Sequence, residues 1–236
     1  MPDTTKDRKA HLLDRLKRAI LTQGMRPGAD LDEAQLCADS GLSRTPLREV
    51  LRELAGLGYV ELRTNRGARV SEMSHTTLRD FFLAAPMIYG AILRLAALNA
   101  APAQIEAIKA AQEDFRAALH RGSTTDRTLA NNRFHEITGE MAGNIYLLPS
   151  FHRLLIDHAR ISMTFYRPVT PAMVENVSEA SQQHDAIIAA IAARDEATAA
   201  QLAEDHWNLS RNQIESFVMP AGMDQPLGTL PRSTSA

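Results

Sequence analysis

The stretch SRTPLREVLRELAGLGYVELRTNRGARV, residues 43–70, joins a helical pattern to a hairpin pattern. Four apolar residues recur at intervals of three and four, as on the buried face of a helix: Leu47, Val50, Leu51 and Leu54. Ser43 is placed to cap this helix and Gly58 to end it. Beyond it, YVELR and RVSEM alternate in polarity around TNRGA, which predicts a small β-hairpin.

Another face of the same predicted helix is basic, because Arg44, Arg48 and Arg52 are spaced four residues apart. The planar guanidinium group suits phosphates and guanine edges. Ser43 and Thr45 stand at the helix start, where the helix dipole favours anions. Stripes of this kind also occur on solvated helices, so the stripe alone leaves both interpretations open.

The predicted hairpin adds a second candidate DNA contact. Gly67 permits its tight turn, and Arg66 and Arg69 are placed to reach the DNA backbone or the minor groove. Helices predicted at residues 6–23 and 32–39 precede the basic helix. Together these elements follow the plan of a winged helix-turn-helix, whose second motif helix enters the major groove.

The composition of the 236 residues favours helices elsewhere. Apolar residues make up 44% of the chain, which is enough for a core, while aromatics are sparse and alanine is abundant. Apolar runs stay short of the roughly 20 residues of a membrane span, and the N-terminus lacks an apolar signal core. A single cysteine, Cys37, fits the cytoplasm. We therefore expect a cytoplasmic protein with no membrane partner.

The remainder of the chain predicts only helices, separated by proline- and glycine-containing breaks. They are expected near residues 75–100, 102–121, 125–142, 145–166, 171–194 and 196–218. The expected fold class is mainly α, with an N-terminal winged helix-turn-helix and a C-terminal antiparallel all-α bundle. The expected divisions are a DNA-binding domain, a helical effector domain and a disordered tail: 1–74, 75–219 and 220–236.

Histidine spacing suggests a buried cluster in the helical part. His184 and His206 each lie 11 residues from the predicted break near Asp195, so an antiparallel helix hairpin would bring them face to face. His135 follows Asn131 by four residues, which places both on one helix face. Such a set is either a hydrogen-bonded core cluster or a metal site, and the spacing alone leaves both open.

The front of the chain resembles a known family. Residues 26–70, RPGADLDEAQLCADSGLSRTPLREVLRELAGLGYVELRTNRGARV, resemble the N-terminal domain of GntR-type bacterial repressors. This resemblance implies operator DNA as a partner, with contacts from Arg44 and Arg48. A third contact position of the family falls on Ala34, where we expect the contact to be lost.

The rear of the chain resembles the FCD domain of the FadR-like branch of that family, notably in NRFHEITGEMAGN, residues 132–144. Metal-binding members carry an aspartate, a histidine four residues later, and two histidines about 22 residues apart. These positions correspond to Asn131, His135, His184 and His206. The resemblance implies a divalent transition metal, with zinc first and nickel, iron or manganese as alternatives.

Two departures from the FCD pattern concern the effector. Asn131 removes one negative charge, which should weaken metal binding and favour an anionic effector as completing ligand. The arginine and glutamate usual on the domain's first helix are replaced by Ala85 and Tyr89. Tyr89 is expected to line the effector pocket instead, with Arg160 as an anion partner.

Other histidines show no partner pattern and are expected at the surface or at helix caps: His11, His75, His120, His152 and His158. The sequence thus predicts a homodimeric transcriptional regulator, a repressor by analogy. Its operator affinity would be controlled by a small metabolite bound at the metal site, and we expect this metabolite to be an organic acid. The alternative is a metal-dependent enzyme using the three histidines, disfavoured because no acid is clearly placed as general base and the attached winged helix would be redundant.

Overall fold

The computed structural model describes residues 4–64, 67–121 and 123–218. Its N-terminal part holds three helices and a hairpin: α1 (Thr5–Leu21), α2 (Glu33–Ser40), α3 (Arg44–Gly56), β1 (Val60–Arg63) and β2 (Gly67–Val70). The strands pair antiparallel. The expected winged helix-turn-helix is confirmed. Arg66 and the expected tail at 220–236 lie outside the described residues.

Local sequence explains where these helices begin and turn. Thr4 and Asp7 form a capping box at the start of α1, and the Asp32 side chain accepts from two backbone amides of α2. Gly41 takes the left-handed conformation that ends α2, with φ of 65°. The four apolar residues of α3 predicted to be buried are all buried.

The second strand begins and ends earlier than RVSEM suggested. Its backbone bonds the segment before α2, since Leu31 N–H donates to the Ala68 carbonyl and Val70 N–H donates to the Ala29 carbonyl. Ser71, the residue after β2, still donates its backbone N–H to the Tyr59 carbonyl, while its own carbonyl and hydroxyl accept from Arg160 of the helical part. Ser71 therefore joins the end of the hairpin to the helical part.

Six helices build the rest of the described chain: α4 (His75–Asn99), α5 (Pro102–Arg121), α6 (Thr124–Ala142), α7 (Leu148–Phe165), α8 (Pro171–Ala192) and α9 (Glu196–Val218). The expected set of six is confirmed. α7 begins three residues later than expected, because the Asn144 side chain accepts from the amides of Tyr146 and Leu147 and so holds a turn there.

α4 is the most apolar helix of this bundle. It is long and apolar enough to cross a membrane by length and composition alone. One face lies in the main hydrophobic core: Phe81, Ala85, Tyr89, Ile92, Leu93, Ala96 and Ala97. The apolar composition of α4 is therefore explained by its packing in this core.

α7 contributes to both parts of the molecule. Ile156 and Ala159 belong to the hydrophobic core of the N-terminal part, together with residues of α1 and α3. Phe151 and Leu155 belong to the core of the helical part. The Gln23 side chain donates to the Arg160 carbonyl at 2.7 Å. The N-terminal part is therefore packed directly on α7.

Candidate DNA-binding surface and candidate metal site

The residues expected to contact DNA share one exposed surface at the start of α3. Ser43, Arg44, Thr45 and Arg48 are all exposed. The Ser43 side chain caps no backbone amide of α3, so its hydroxyl is not committed to the helix. Exposed arginines and a free helix N-terminus form an arrangement suited to phosphate and base edges.

A groove of about 680 Å³ lies between this helix and the hairpin. Four arginines line it: Arg44, Arg48, Arg52 and Arg63. Gly67 lies at its edge with φ of 74°, and an added Cβ would stand 3.1 Å from Glu33 Oε1. The short side chain of Ala34 lines the same groove, and the loss of a DNA contact there stays a prediction.

Arg69 is used within the fold. Its guanidinium donates to both carboxylate oxygens of Asp30, at 2.7 and 3.1 Å, and lies 3.6 Å from Glu72. These partners raise the pKa of Arg69. The expectation that Arg69 reaches DNA is therefore not supported by its contacts, because its donors are already directed at Asp30.

The structure brings three of the predicted metal-site residues together. His135 on α6, His184 on α8 and His206 on α9 are buried, and one nitrogen from each lies within 4.8 Å of the other two. The predicted antiparallel pairing of α8 and α9 brings His184 and His206 together, and their ring centroids are 4.8 Å apart. His184 also stacks on Phe134 at 3.8 Å, which fixes the ring plane.

Two glutamines fix which ring nitrogen carries the proton in His184 and His206. The Nδ1 of His184 lies 3.0 Å from Gln112 Oε1, and the Nδ1 of His206 lies 2.9 Å from Gln183 Oε1. An amide oxygen only accepts, so each Nδ1 carries the proton and donates it. Each Nε2 is then left with a free lone pair, which is the form in which a histidine binds a metal.

The amide orientations follow from the other contacts of the two glutamines. Gln112 Nε2 donates to the Ser181 carbonyl at 2.8 Å, and Gln183 Nε2 donates to Glu179 at 3.1 Å. Within the described residues, the Nε2 atoms of His135 and His184 are buried and have no hydrogen-bond partner. Buried nitrogens of this kind are costly unless a ligand completes them, so the donor set fits a transition metal.

Burial keeps these imidazoles neutral. It lowers the pKa of His135 and of His184 well below the usual value, and it lowers the pKa of His206 to about 4. Because a protonated imidazole cannot bind a metal, burial removes the competing proton at neutral pH.

Asn131 is buried beside this cluster on α6 but is already bonded. Its Oδ1 accepts a hydrogen bond from the Tyr166 hydroxyl at 2.8 Å. An amide oxygen has a second lone pair, and that lone pair is what a metal would use. A role for Asn131 as a ligand stays a prediction.

His158, expected at the surface, is buried at the cluster, so that expectation is wrong. Its ring lies 4.7 Å from the His135 ring, and its Nδ1 lies 2.8 Å from the Tyr89 hydroxyl. The signal was present in α7, where inward positions recur every three or four residues: Phe151, Leu155, His158, Ser162 and Phe165. Burial lowers the pKa of His158 to about 3.

The two expected effector residues have different surroundings. Tyr89 is buried among aromatic rings that include His135, His158 and Trp207, so it lies at the cluster, and its role in an effector pocket stays a prediction. Arg160 is 0% exposed and donates to Ser71 and Asp157 at 3.0–3.2 Å. The side chain of Arg160 thus joins α7 to the N-terminal part, because its terminal nitrogens are bound to Ser71 there.

No carboxylate joins the three histidines within the described part of the chain. Glu136 accepts from Asn132 and Arg133, and Glu140 pairs with Arg133. Both acids are partly exposed and line a groove that α6 shares with the N-terminal part. A general base for hydrolysis is therefore not supplied by the nearest acids in sequence.

Comparison with known proteins assigns both parts. Residues 8–70 match the bacterial regulatory proteins of the gntR family, and residues 86–209 match the FCD domain. The chain belongs to the GntR family of transcriptional regulators and carries an FCD domain. The sequence resemblance is thereby confirmed.

Relatives and solved structures agree with this assignment. The transcriptional repressor GlaR of Escherichia coli is 28% identical over 196 residues, covering 81% of this chain and 88% of the relative. A probable D-xylose utilization operon repressor of Paenarthrobacter nicotinovorans is 31% identical over 138 residues, covering 58% of this chain and 61% of the relative.

Two solved structures show the same fold. E. coli McbR/YncC has a TM-score of 0.75 at 18% identity and covers 89% of this chain and 98% of that protein. A putative GntR regulator from Rhodococcus sp. RHA1 has a TM-score of 0.64 at 20% identity and covers 88% and 97%.

Proposed function

We propose that this regulator is a cytoplasmic repressor whose affinity for operator DNA is controlled by a small anionic metabolite at a metal bound by the three histidines. The observation that carries the proposal is the position of α6 and α7. Both helices present histidines to the buried cluster on one side and contact the N-terminal part on the other.

The metal would be held by His135, His184 and His206, with Asn131 as a fourth, neutral ligand. Zinc is the first expectation, because three imidazoles with an open position are a common zinc site; nickel, iron and manganese are the alternatives. Neutral ligands leave the charge of the ion uncompensated. An organic acid would supply the missing negative charge, with Tyr89 beside it.

α7 would transmit occupancy of the site to the DNA-binding part. His158 on this helix contacts His135, while Asp157 and Arg160 lie within two residues of it and Arg160 binds Ser71. A ligand that displaces the His158 side of α7 would shift the contact with Ser71. Thermodynamic linkage then requires that DNA and the metabolite alter each other's affinity by the same factor.

DNA would be bound by residues 1–74, with Arg44 and Arg48 at base edges and Ser43, Thr45, Arg66 and Gly67 near the backbone. Residues 75–219 would form the effector domain. A homodimer would place two such units on half-sites related by two-fold symmetry, about one helical turn apart.

The test begins with elemental analysis and native mass spectrometry of untagged protein prepared without chelators. We expect near one metal per chain, lost in His135→Ala and retained in His152→Ala, which removes an exposed histidine of α7. Binding to DNA upstream of the protein's own gene is then measured with metal present and after its removal. A metal-free wild-type protein under metal-replete conditions would contradict the metal site, and unchanged DNA affinity on metal removal and on addition of candidate organic acids would contradict the control.

A further inference from the structure

A groove of about 340 Å³ lies between the N-terminal part and the helices α6 and α7. Lys17, Leu57 and Tyr59 line it on one side, and residues of α6 and α7 line it on the other. Its size is within the range of small-metabolite sites. Among the described residues, its lining includes none of the three clustered histidines, so it is a cavity separate from the candidate metal site.

The α6 side of this groove is a stripe of hydrogen-bond acceptors. Asn132, Glu136 and Glu140 are spaced four residues apart, so they lie along one face of the helix. Asn132 follows Asn131, and Glu136 follows His135. The same turns of α6 therefore carry residues of the histidine cluster and residues of the groove.

Asn132 has an acceptor that the fold does not use. The residue is 7% exposed, and its Nδ2 donates to Glu136 Oε1 at 2.8 Å. A carboxylate only accepts, so this contact fixes the amide orientation and leaves Oδ1 as its free end. Oδ1 is buried and has no hydrogen-bond partner within the described residues. Because an unpaired buried acceptor is costly, a donor that enters from the groove would stabilise it.

Opposite charges line the groove without meeting. In the described part of the chain, Lys17 forms no ion pair with either glutamate, and both glutamates pair with Arg133 instead. The Nζ of Lys17 lies 5.9 Å from the centroid of the Tyr59 ring. Burial, and then the nearby charge of Glu136, raise the pKa of this tyrosine to about 12. A molecule beside Tyr59 would therefore meet an ammonium group and a carboxylate.

We propose that this groove binds an α-amino acid, as a second ligand site that needs no metal. The ammonium group of the amino acid would donate to Asn132 Oδ1 and to the Glu136 carboxylate, and its own carboxylate would accept from Lys17. Its side chain would pack on Leu57 and Leu155, which supply apolar walls. Asn132 Oδ1 and Lys17 would each gain a partner that the fold does not provide.

Other ligand classes fit the groove less well. A metal ion is disfavoured, because the acidic and histidine side chains close enough to share an ion are, among the described residues, the three clustered histidines. A dicarboxylate would meet Glu136 and Glu140, and a diamine would meet Lys17. Each would therefore make a contact between like charges, which a zwitterion avoids.

Binding in this groove would be coupled to DNA binding. Both parts of the molecule line it, so the amino acid would favour the arrangement in which the two parts lie together. By linkage, operator DNA and the amino acid would then alter each other's affinity by the same factor. This coupling rests on the operator binding in the proposed function, whereas the site itself does not. Operator affinity that is the same with and without the amino acid would contradict the coupling.

The first experiment measures thermal unfolding with each of the standard L-amino acids in the millimolar range. At least one should raise the unfolding midpoint, by about 3 °C at roughly ten times its dissociation constant. Succinate and putrescine are the control probes, because each carries charges of only one sign, and neither should match this shift. The absence of a shift with every amino acid would overturn the inference.

The second experiment locates the site by calorimetric titration with the amino acid that gives the largest shift. Lys17→Met and Glu136→Gln should each weaken binding about tenfold, since each removes one charged contact. Lys6→Met on α1 and Glu175→Gln on α8 are the matched controls, because both residues are exposed and lie outside the groove. Wild-type affinity in both groove variants would overturn the inference.

Amino acids also bind transition metals, so the titration is repeated on metal-free protein. The affinity should be nearly unchanged, because the groove holds the amino acid without an ion. Binding that is lost with the metal but kept in Lys17→Met would place the amino acid at the histidines and overturn the inference, leaving the proposed metal site standing. Wild-type protein that never holds a metal but binds the amino acid through Lys17 would support the groove and contradict the metal site.

Discussion

α3 and α6 use their polar residues in opposite ways. On α3 the apolar residues are buried and the arginines face water, so the helix obeys simple partition between core and solvent. α6 has no clear apolar face, yet ten of its 19 residues are buried, including Thr128, Asn131, His135 and Thr138. Polar groups buried in this way require specific partners.

The contrast shows where each helix finds the partners of its polar groups. The α3 arginines are exposed, and the one ion pair recorded for them in the described residues joins Arg48 to Glu33 at 3.6 Å, so their removal costs the fold little. Several polar groups of α6 and its neighbours are bonded within the chain, as the Asn131–Tyr166 and Gln112–His184 contacts show, while the Nε2 atoms of His135 and His184 are buried without a partner. Changes there should alter stability and ligand affinity together.

The largest expected effect is the acid lability of metal-free protein, in which buried imidazoles must remain neutral. The folded-state pKa of His135, His158, His184 and His206 lies below the unfolded value of about 6.5, so the unfolded chain binds more protons below that pH. The unfolding free energy should fall as pH decreases from about 6.5 to 4, by up to about 5 kcal/mol per pH unit for four histidines. Urea titrations across this range measure it.

Bound zinc should raise the unfolding free energy but leave its pH dependence near 6 unchanged, because the imidazoles are unprotonated in the folded chain with or without the metal. A metal-free protein whose unfolding midpoint is the same at pH 7 and pH 5 would show that the cluster is not buried and neutral. The contrast between α6 and α3 would then fail, since both helices would expose their polar groups.

Removal of the α3 arginines tests the other side of the comparison. Arg44→Ala with Arg48→Ala should weaken operator binding by about 2–6 kcal/mol, since each base contact contributes about 1–3 kcal/mol. The unfolding free energy should change by less than about 0.5 kcal/mol per site. Gel-shift titration and urea unfolding measure the two quantities. Arg167→Ala, an exposed arginine outside α3, is the control and should leave both unchanged. Persistent operator binding would show that another surface reads the DNA.

Gln112→Leu should lower metal affinity about 10- to 100-fold, because it removes the acceptor that fixes the His184 tautomer. The affinity is measured by competition with a chelating dye. Gln182→Leu is the control. It changes an exposed glutamine of α8 next to Gln183, the acceptor for His206, and should have no effect. If both variants bind metal alike, the orientation of His184 does not depend on Gln112.

The smallest expected effect comes from Asn131→Asp, which restores a negative charge beside the histidines. We expect metal affinity to rise on the order of tenfold, since a carboxylate is a stronger ligand and Tyr166 can still donate to it. An anionic metabolite should bind less tightly to this variant. A fall in metal affinity would indicate that Asn131 is not part of the coordination shell.

The sequence predicts most of the fold because apolar periodicity and breaking residues mark helix ends directly. It also places His184 opposite His206, since symmetry about one turn is a local property. The burial of His158 follows from the inward spacing of α7, but the surroundings of Arg160 depend on which helix lies beneath the DNA-binding part, and the sequence does not show that. The residues Ile156 and Ala159 show that packing, but one apolar residue in sequence does not reveal which of two cores it joins.

The buried guanidinium of Arg160 has a consequence for building chimeric regulators. The DNA-binding part is not a detachable cassette, since Ile156 and Ala159 complete its core and Arg160 holds Ser71 at its end. A graft of residues 1–74 onto another FCD domain would expose that apolar surface and leave Ser71 without its donor. Specificity transfer between such regulators therefore requires moving this face of α7 along with the recognition helix.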